Sequence, residues 1–171
     1  KKIQVDGLDI KIFRAGIKKN SLDLLLVKLP KFSSVSGVFT KSKTPSASVI
    51  DCKNKINQKK NFIRCLVVNS GNANAFTGKK GTNTVNKITN FLSTIYKCSE
   101  NEVFTSSTGV IGEELNPLKI ISCIKNKKPA FVDSIKEAAN SIMTTDTYPK
   151  YAASKVKYKN FDVNIVGIAK G

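Results

Sequence analysis

Histidine is absent from the 171 residues of this chain. A Ser-His-Asp triad, a Cys-His pair and a metal site built on imidazole are therefore excluded for the chain by itself. Any chemistry must come from hydroxyls, backbone amides, amines and carboxylates, or from groups that another chain supplies.

Long apolar runs and paired cysteine motifs are missing as well. The longest apolar run, residues 24–27, is strand-sized and far short of the ~18 residues of a membrane span, so we expect no membrane association. The first residues lead into no apolar segment, which predicts no signal peptide. No CxxC motif occurs, which excludes a zinc ribbon or a thioredoxin-type site. We expect reduced, mostly buried thiols in a cytoplasmic protein at Cys52, Cys65, Cys98 and Cys123.

Arginine is scarce although the net charge is +17. Only Arg14 and Arg64 are arginine, and the other 27 basic residues are lysine. Nucleic-acid surfaces usually rely on arginine too, because its guanidinium pairs with guanine and phosphate. The lysines are also spread along the chain, which favours a solvated lysine-rich surface, and an acidic partner chain could offset its charge. A basic nucleic-acid-binding module stays open as an alternative.

The hydrophobic pattern predicts one domain that mixes strands and helices. Residues 62–68 are apolar nearly throughout, which predicts a strand covered on both faces, and residues 51–61 are expected to form an exposed loop. Apolar residues recur at helical spacing in residues 84–96, and Asn116 with Pro117 is typical of a helix start. The fold class is therefore α/β or α+β, with mixed sheets packed with helices. Further strands are predicted at residues 22–29, 35–40, 47–50, 102–106, 155–159 and 161–169, and further helices at residues 117–124 and 130–143.

Two small-residue segments follow buried strands. In VVNSGNANAFTG, residues 67–78, the asparagines could satisfy their own turns or could hold a substrate or a neighbouring catalytic loop. In TSSTGVIG, residues 105–112, a hydroxyl and backbone amides could be aimed at one point, as an oxyanion hole requires. The alternative for the second segment is an ordinary hydroxyl-rich turn before a helix.

Two later segments carry charge. In MTTDTYPK, residues 143–150, three threonines surround one aspartate, which suits either binding of a polar substrate or the end of a helix. Thr144, Thr145 and Thr147 are all candidates for the contact. In GIAKG, residues 167–171, the ammonium of Lys170 could bind a carboxylate.

Taken together and in order, these segments resemble the ornithine acetyltransferase family, also called glutamate N-acetyltransferase, of arginine biosynthesis. The resemblance runs from about Phe13 to Gly171. It implies a self-processing, N-terminal-nucleophile-like fold, with this chain as the α chain of a cleaved precursor. Residues 1–171 would then be one domain that is incomplete without its β chain, in an α2β2 heterotetramer. The abrupt end at Gly171 fits this expectation.

The resemblance also implies a reaction and its residues. A threonine at the N-terminus of the β chain would take acetyl from N-acetylornithine and pass it to glutamate by a ping-pong mechanism, with its own amine as base. Thr108 and Gly109 match the family's oxyanion-hole pair, and Thr147 and Lys170 match its substrate-binding positions. No cofactor or metal is called for. Bifunctional members also use acetyl-CoA as a donor, and both donors stay open here.

A self-processing aminopeptidase of related fold is the second hypothesis. It is disfavoured because the resemblance includes the substrate-facing TTDT and GIAKG segments. We expect small-molecule substrates and a β-chain partner, with no nucleic acid.

Overall fold

The computed structural model describes residues 5–56 and 61–170. A five-stranded sheet with the strand order β4-β3-β2-β1-β5 forms its centre. Strands β1, β2, β3 and β5 pair antiparallel with their neighbours in this group, whereas β4 runs parallel to β3. The strands are β1 (Asp9–Phe13), β2 (Leu24–Ser34), β3 (Phe62–Asn72), β4 (Val103–Val110) and β5 (Phe131–Val132).

Helices cover both faces of this sheet. The side chains of β2 alternate between the two faces and pack into two hydrophobic clusters, one on each face. Leu24 and Leu26 pack with residues of α2 (Gly78–Tyr96) and α3 (Pro117–Asn126). Leu25 points the other way and packs with α4 (Ile135–Ser141). All three leucines are 2 % exposed or less, so the predicted strand at residues 22–29 is the middle of the core. In β3 one face is buried and the other half-buried, so the prediction of full cover on both faces is met only in part.

The predicted helices at residues 84–96 and 117–124 are confirmed. α2 begins earlier, at Gly78, and ends at Tyr96 because Lys97 takes a left-handed φ of 50°. α3 starts as expected, with the Asn116 side chain accepting from the backbone N–H of Leu118 at 2.9 Å and Pro117 as the first helical residue.

The predicted strand at residues 47–50 and loop at 51–61 are wrong where the structure describes them: α1 (Ala47–Ile56) is a helix, and residues 57–60 lie outside the described ranges. Ser48, Cys52 and Lys55 line one side of α1 and bond β4, through the Ser107 hydroxyl and the Thr105 and Val103 carbonyls. Because this contact is polar, no apolar periodicity in the sequence reveals the helix.

The predictions of a strand at residues 35–40 and of a helix at residues 130–143 are also wrong, and in both cases the available edges of the sheet explain the difference. Residues 35–40 have no regular structure, since β2 is paired on both sides and α1 occupies the edge of β4. The predicted helix at residues 130–143 is divided. Ala130 and Asp133 donate from their backbones to Ile12 and Ile10 of β1, and α4 starts only after its cap residue Ser134.

The last two strands form a separate hairpin. β6 (Lys150–Tyr158) pairs antiparallel with β7 (Phe161–Ala169), which confirms the strands predicted at residues 155–159 and 161–169. No residue of either strand is buried, so both strands are more exposed than the half-exposed pattern that the sequence predicts. Within the described ranges, no helix is both long and apolar enough to cross a membrane.

Candidate active site

Thr108 and Gly109 lie at the end of β4, opposite Ser70 and Gly71 of β3. Gly109 has a φ of +134°, and a Cβ added there would overlap the carbonyl carbon of Gly71. Glycine is therefore required by both the backbone conformation and the close approach of the two strands. This packing holds the Thr108–Gly109 peptide in one place at the edge of the sheet.

The asparagine-rich segment after β3 supports that position. Asn69, Asn72 and Asn74 are nearly fully buried. Asn69 accepts a hydrogen bond from the Ser107 hydroxyl at 2.7 Å, and Asn72 donates to the Glu113 carbonyl at 3.1 Å. Backbone bonds from Ala73 N to Val110 O and from Gly112 N to Ala75 O complete the contact. The same side chains also satisfy their own turn, since Asn69 donates to the Asn72 carbonyl and the Asn74 N–H donates to the Asn72 side chain, both at 2.8 Å. The segment therefore bonds its own turn and also holds a neighbouring loop, here the end of β4.

Asp146 organises the turn between α4 and β6. Its side chain is 1 % exposed and accepts from the backbone N–H of Thr144 at 3.1 Å and from the Lys150 ammonium at 2.9 Å. The Lys170 ammonium lies 3.5 Å from its second oxygen. Thr147, the next residue, is exposed. The structure thus brings Thr147 and Lys170 to one turn, through a carboxylate that the sequence analysis left without a role.

Two contacts join this turn to the end of the sheet. The Ser70 hydroxyl donates to the Ser141 carbonyl at 2.5 Å, and the Lys18 ammonium donates to the Met143 carbonyl at 2.9 Å. The stem of Lys18 also covers Gly71, since its Cγ lies 2.6 Å from where a Cβ of Gly71 would stand. Thr108 and Gly109 are therefore joined to the turn that carries Thr147 only through intermediate residues.

Lys18 is itself fixed by a buried carboxylate. Asp23 is fully buried and accepts from the backbone N–H groups of Ala15, Ile17 and Lys18 at 2.6, 2.6 and 2.9 Å. Burial lowers the pKa of the Lys18 ammonium, and the charge of Asp23 partly opposes that change. Sequence reasoning missed both residues. The signal in the sequence that could have revealed Asp23 is its position, because a charged residue directly before an apolar strand is unusual and needs hydrogen-bond partners.

The four cysteine thiols are partly or fully buried. All four cysteines are free, with Cys65 and Cys123 buried and the other two half-buried. Burial raises the pKa of the Cys65 thiol to about 12 and also raises the pKa of Cys123. These two thiols stay protonated near neutral pH and are poor nucleophiles. The expectation of mostly buried cysteines is met for these two and not for Cys52 and Cys98, which are half-buried.

The hydroxyl, backbone N–H and ammonium groups of this site can donate hydrogen bonds to an anion. A hydroxyl and a glycine N–H at a strand end can stabilise a developing oxyanion, and ammonium groups can bind a carboxylate. In the described part of the chain, no three side chains of His, Cys, Asp or Glu gather in a way that could hold a metal ion.

Solved structures show the class of protein to which this fold belongs. The crystal structure of the arginine biosynthesis bifunctional protein ArgJ from Bacillus halodurans matches with a TM-score of 0.88 and 29 % identity, over 97 % of this chain and 87 % of that chain. Ornithine acetyltransferase from Mycobacterium tuberculosis, solved in complex with ornithine, matches with a TM-score of 0.76 and 29 % identity, over 97 % and 89 %. The fold is therefore the mixed α/β fold of these enzymes, as predicted.

The family model named ArgJ family matches residues 9–171. The arginine biosynthesis bifunctional protein ArgJ of Mesorhizobium japonicum is 46 % identical over 98 % of this chain, and that of Bartonella henselae is 44 % identical over 98 %. This chain belongs to the ArgJ family. It spans about two fifths of the length of these relatives, 40 % and 41 %.

Proposed function

We propose that the chain is the α chain of an acetyltransferase of arginine biosynthesis that moves acetyl from N-acetylornithine to glutamate. The observation that carries the proposal is the geometry of the strand end and the turn. Thr108 and Gly109 are held at the end of β4, and Thr147 and Lys170 meet at Asp146, with Lys18 and Ser70 joining the two groups. The similarity to an ornithine acetyltransferase solved with ornithine supports the same substrate class.

The proposed reaction is a ping-pong acyl transfer. The hydroxyl oxygen of a threonine at the N-terminus of the β chain attacks the acetyl carbonyl carbon, and the C–N bond to ornithine breaks as the leaving amine takes a proton. The amine of glutamate then attacks the resulting acetyl ester, the C–O bond breaks, and the threonine hydroxyl is restored. The N-terminal amine acts as the base, so the absence of histidine is no obstacle.

Four residues of this chain have a proposed role in the reaction. The Thr108 hydroxyl and the Gly109 N–H would hold the oxyanion of the tetrahedral intermediate. Lys170 would bind the α-carboxylate that N-acetylornithine and glutamate share, with Thr147 beside it as a hydrogen-bonding partner. These roles need no metal and no cofactor from the chain.

The proposal includes a partner. Residues 1–171 would form one domain that the β chain of the same precursor completes, within an α2β2 heterotetramer in the cytoplasm. One feature supports a partner: the hairpin exposes the apolar side chains of Tyr158, Phe161 and Ile165. A two-stranded sheet is marginal by itself, and its apolar side chains favour contact with protein.

The test is acetyl transfer by the processed full-length protein. N-acetylornithine and glutamate are supplied together, and ornithine and N-acetylglutamate are measured by mass spectrometry. We expect equal amounts of both products, and an acetylated β chain, heavier by one acetyl group, when N-acetylornithine is supplied alone. Absence of both products from a correctly processed complex would contradict the proposal.

The same preparation separates the alternatives. Acetyl-CoA in place of N-acetylornithine tests whether the enzyme has a second donor. Hydrolysis of amino-acid amides without acetyl transfer would indicate the aminopeptidase. A salt-dependent gel shift with DNA or RNA would indicate a nucleic-acid-binding module.

A further inference from the structure

A row of hydrogen bonds crosses the end of β4 at Ser107, the residue directly before Thr108. The Ser107 hydroxyl lies 3.2 Å from that of Ser48 on α1 and 2.7 Å from the Oδ1 atom of Asn69 on β3. Ser48 and Asn69 are 2 % and 3 % exposed. The strand is therefore held at Ser107 from both of its neighbours, the helix on one side and β3 on the other.

The Asn69 amide fixes the direction of these hydrogen bonds. Its Nδ2 donates to the Asn72 carbonyl at 2.8 Å, so its Oδ1 faces Ser107 and accepts. Ser107 therefore donates to Asn69, and the hydroxyl of Ser48 donates to Ser107. Both hydroxyl hydrogens then have an acceptor, which favours a single orientation of the Ser107 side chain.

The backbone pairing of β3 with β4 becomes irregular just beyond Ser107. The strands pair regularly up to Gly71 and Gly109, and the register then shifts, so that Asn72 also lies opposite Thr108. A shift of register disrupts the ladder locally. The close contact of the two glycines sets how near the strands lie, and the hydrogen bonds of Ser107 set the direction in which the chain enters Thr108.

We propose that Ser107 is a positioning residue for the oxyanion hole: its side-chain hydrogen bonds to α1 and β3 orient the two donors that follow it, the Thr108 hydroxyl and the Gly109 N–H. The inference rests on the proposed function, in which these two groups bind the oxyanion. Such donors act only when they are aimed at the place where charge develops, so a small rotation of the strand end lowers the rate. Ser107 acts through the donors and not by contact with substrate.

The test follows acetylation of the β chain in the processed full-length complex, with an excess of N-acetylornithine, no glutamate, and mass spectrometry at successive times. The final acetylated fraction measures how many sites are assembled, and the rate constant measures how well the donors are placed. Ser107→Ala is expected to lower the rate constant roughly tenfold, within the loss that a misplaced group causes. The final fraction should not change, and KM for N-acetylornithine should change less than about twofold.

Two further variants control for the loss of a buried hydroxyl. Ser107→Thr keeps the hydroxyl and should stay within about threefold of wild type, since Ser107 borders a cavity of about 280 Å³ that has space for a methyl group. Ser93→Ala is the matched control, because it removes another buried serine hydroxyl, which donates to the Asn90 carbonyl at 2.8 Å near the end of α2. Its rate constant should equal that of wild type.

The decisive comparison uses Thr108→Ala as a second background. If Ser107 orients the Thr108 hydroxyl, that hydroxyl must be present for the full effect of Ser107→Ala. In the Thr108→Ala background, Ser107→Ala should therefore lower the rate constant only about threefold, through the Gly109 N–H that remains. A merely structural role predicts the same tenfold factor in both backgrounds.

Ser48→Ala provides a second variant, should Ser107→Ala fail to assemble. Alanine suits a helix, and this change removes one of the two hydrogen bonds of the Ser107 hydroxyl. We expect a rate constant about threefold lower with the full acetylated fraction. A wild-type rate constant in Ser48→Ala would then overturn the inference.

Each outcome of these measurements decides the matter. A lower rate constant with an unchanged acetylated fraction and KM, and a smaller factor in the Thr108→Ala background, supports the inference. A wild-type rate constant in Ser107→Ala, equal factors in both backgrounds, or a loss confined to the acetylated fraction overturns it and leaves the proposed function intact. A wild-type complex whose β chain takes no acetyl group overturns the proposed function and the inference with it.

Discussion

Strands β1 to β4 each contribute buried side chains to the core of the sheet, whereas β6 and β7 bury none. The sheet has helices on both faces, and the hairpin leaves large apolar side chains exposed. The difference teaches that the two regions draw their stability from different sources. The sheet is stabilised by its own packing, whereas the hairpin buries no side chain within the described residues, and we propose that the β chain supplies its missing contacts.

The proposed site takes one part from each region. Thr108 and Gly109 belong to the rigid sheet, and Lys170 follows the hairpin. Changes in the sheet should therefore affect stability and turnover, and changes at the hairpin should affect substrate binding and assembly.

The largest expected contrast is in hydrogen exchange of residues 1–171 expressed alone. Amides of β2 and β3 should open with a free energy near that of global unfolding, of order 5–15 kcal/mol, whereas amides of β6 and β7 should open at close to zero. We expect this chain to aggregate easily, and addition of the β chain should protect the hairpin. A soluble monomer with cooperative melting and a protected hairpin would contradict the comparison.

Glycine substitutions compare the same regions. Gly109→Ala should lower the free energy of unfolding by at least about 3 kcal/mol, because the φ of +134° and the overlap with Gly71 both oppose a Cβ. Gly167→Ala in β7 is the comparison, since nothing in the described chain lies within 4 Å of its added Cβ; a loss above about 0.5 kcal/mol in the assembled protein would indicate contact with the β chain. Denaturant unfolding of the assembled protein measures both. Equal effects would show that the two strands are packed alike.

Thr108→Ala tests the sheet part of the proposed site. Loss of one oxyanion donor should lower kcat roughly 10²-fold with little change in KM, and self-cleavage of the precursor should slow if it uses the same donors. Ser106→Ala removes a hydroxyl two residues earlier on β4, where the side chain is exposed, and should leave kcat unchanged. An unchanged kcat in correctly processed Thr108→Ala would eliminate the role.

Lys170→Ala tests the hairpin part. Loss of a charge-assisted hydrogen bond, about 1.5–3 kcal/mol, should lower kcat/KM roughly ten- to hundredfold through a higher KM for both substrates. Lys170→Arg should restore little because the guanidinium is larger and its donors are fixed, and Lys157→Ala on β6 is the control. If Lys170 only pairs with a β-chain carboxylate, gel-filtered variants will show lost assembly with a near-normal KM.

The smallest effect is expected at Lys18, which links the two regions. Lys18→Met should lose about 1 kcal/mol of stability at pH 7, the scale of its hydrogen bond to the Met143 carbonyl. Burial lowers the pKa of Lys18 from its ordinary value of 10.5, so the folded protein binds this proton less tightly than the unfolded chain. Wild-type stability therefore rises relative to Lys18→Met as the pH increases from the lowered pKa towards 10.5.

Urea unfolding of both proteins at several pH values measures that difference. The exposed Lys19 provides the control, because Lys19→Met should show no such trend. A difference between wild type and Lys18→Met that stays constant up to pH 10.5 would refute the prediction.

Sequence reasoning succeeded where neighbours along the chain decide the structure. α2 follows from apolar residues at helical spacing, α3 from the cap residue Asn116, and the hairpin from alternation in residues 155–169. It failed at α1 and at residues 130–143. There the deciding partners are the carbonyls of β4 and the free edge of β1, which no local pattern contains.

The candidate site shows the same division. The positions Thr108, Gly109, Thr147 and Lys170 were named from motifs, and their roles stay predictions. The contacts that hold these residues were not foreseeable, since Lys18 and Met143 are 125 residues apart and Ser70 and Ser141 are 71 apart. The nearest signal was the i,i+4 spacing of Asp146 and Lys150, which by itself predicts an ordinary ion pair.

The sequence alone therefore determined the absence of histidine chemistry, the mixed fold class and the segments that carry the family resemblance. Each of these depends on residue type or on spacing within a few positions. Only the tertiary structure decided that one buried carboxylate meets two lysines, and that Lys18 joins the strand end to the substrate turn. Such contacts depend on which elements pack together, and packing is a property of the whole chain rather than of any segment.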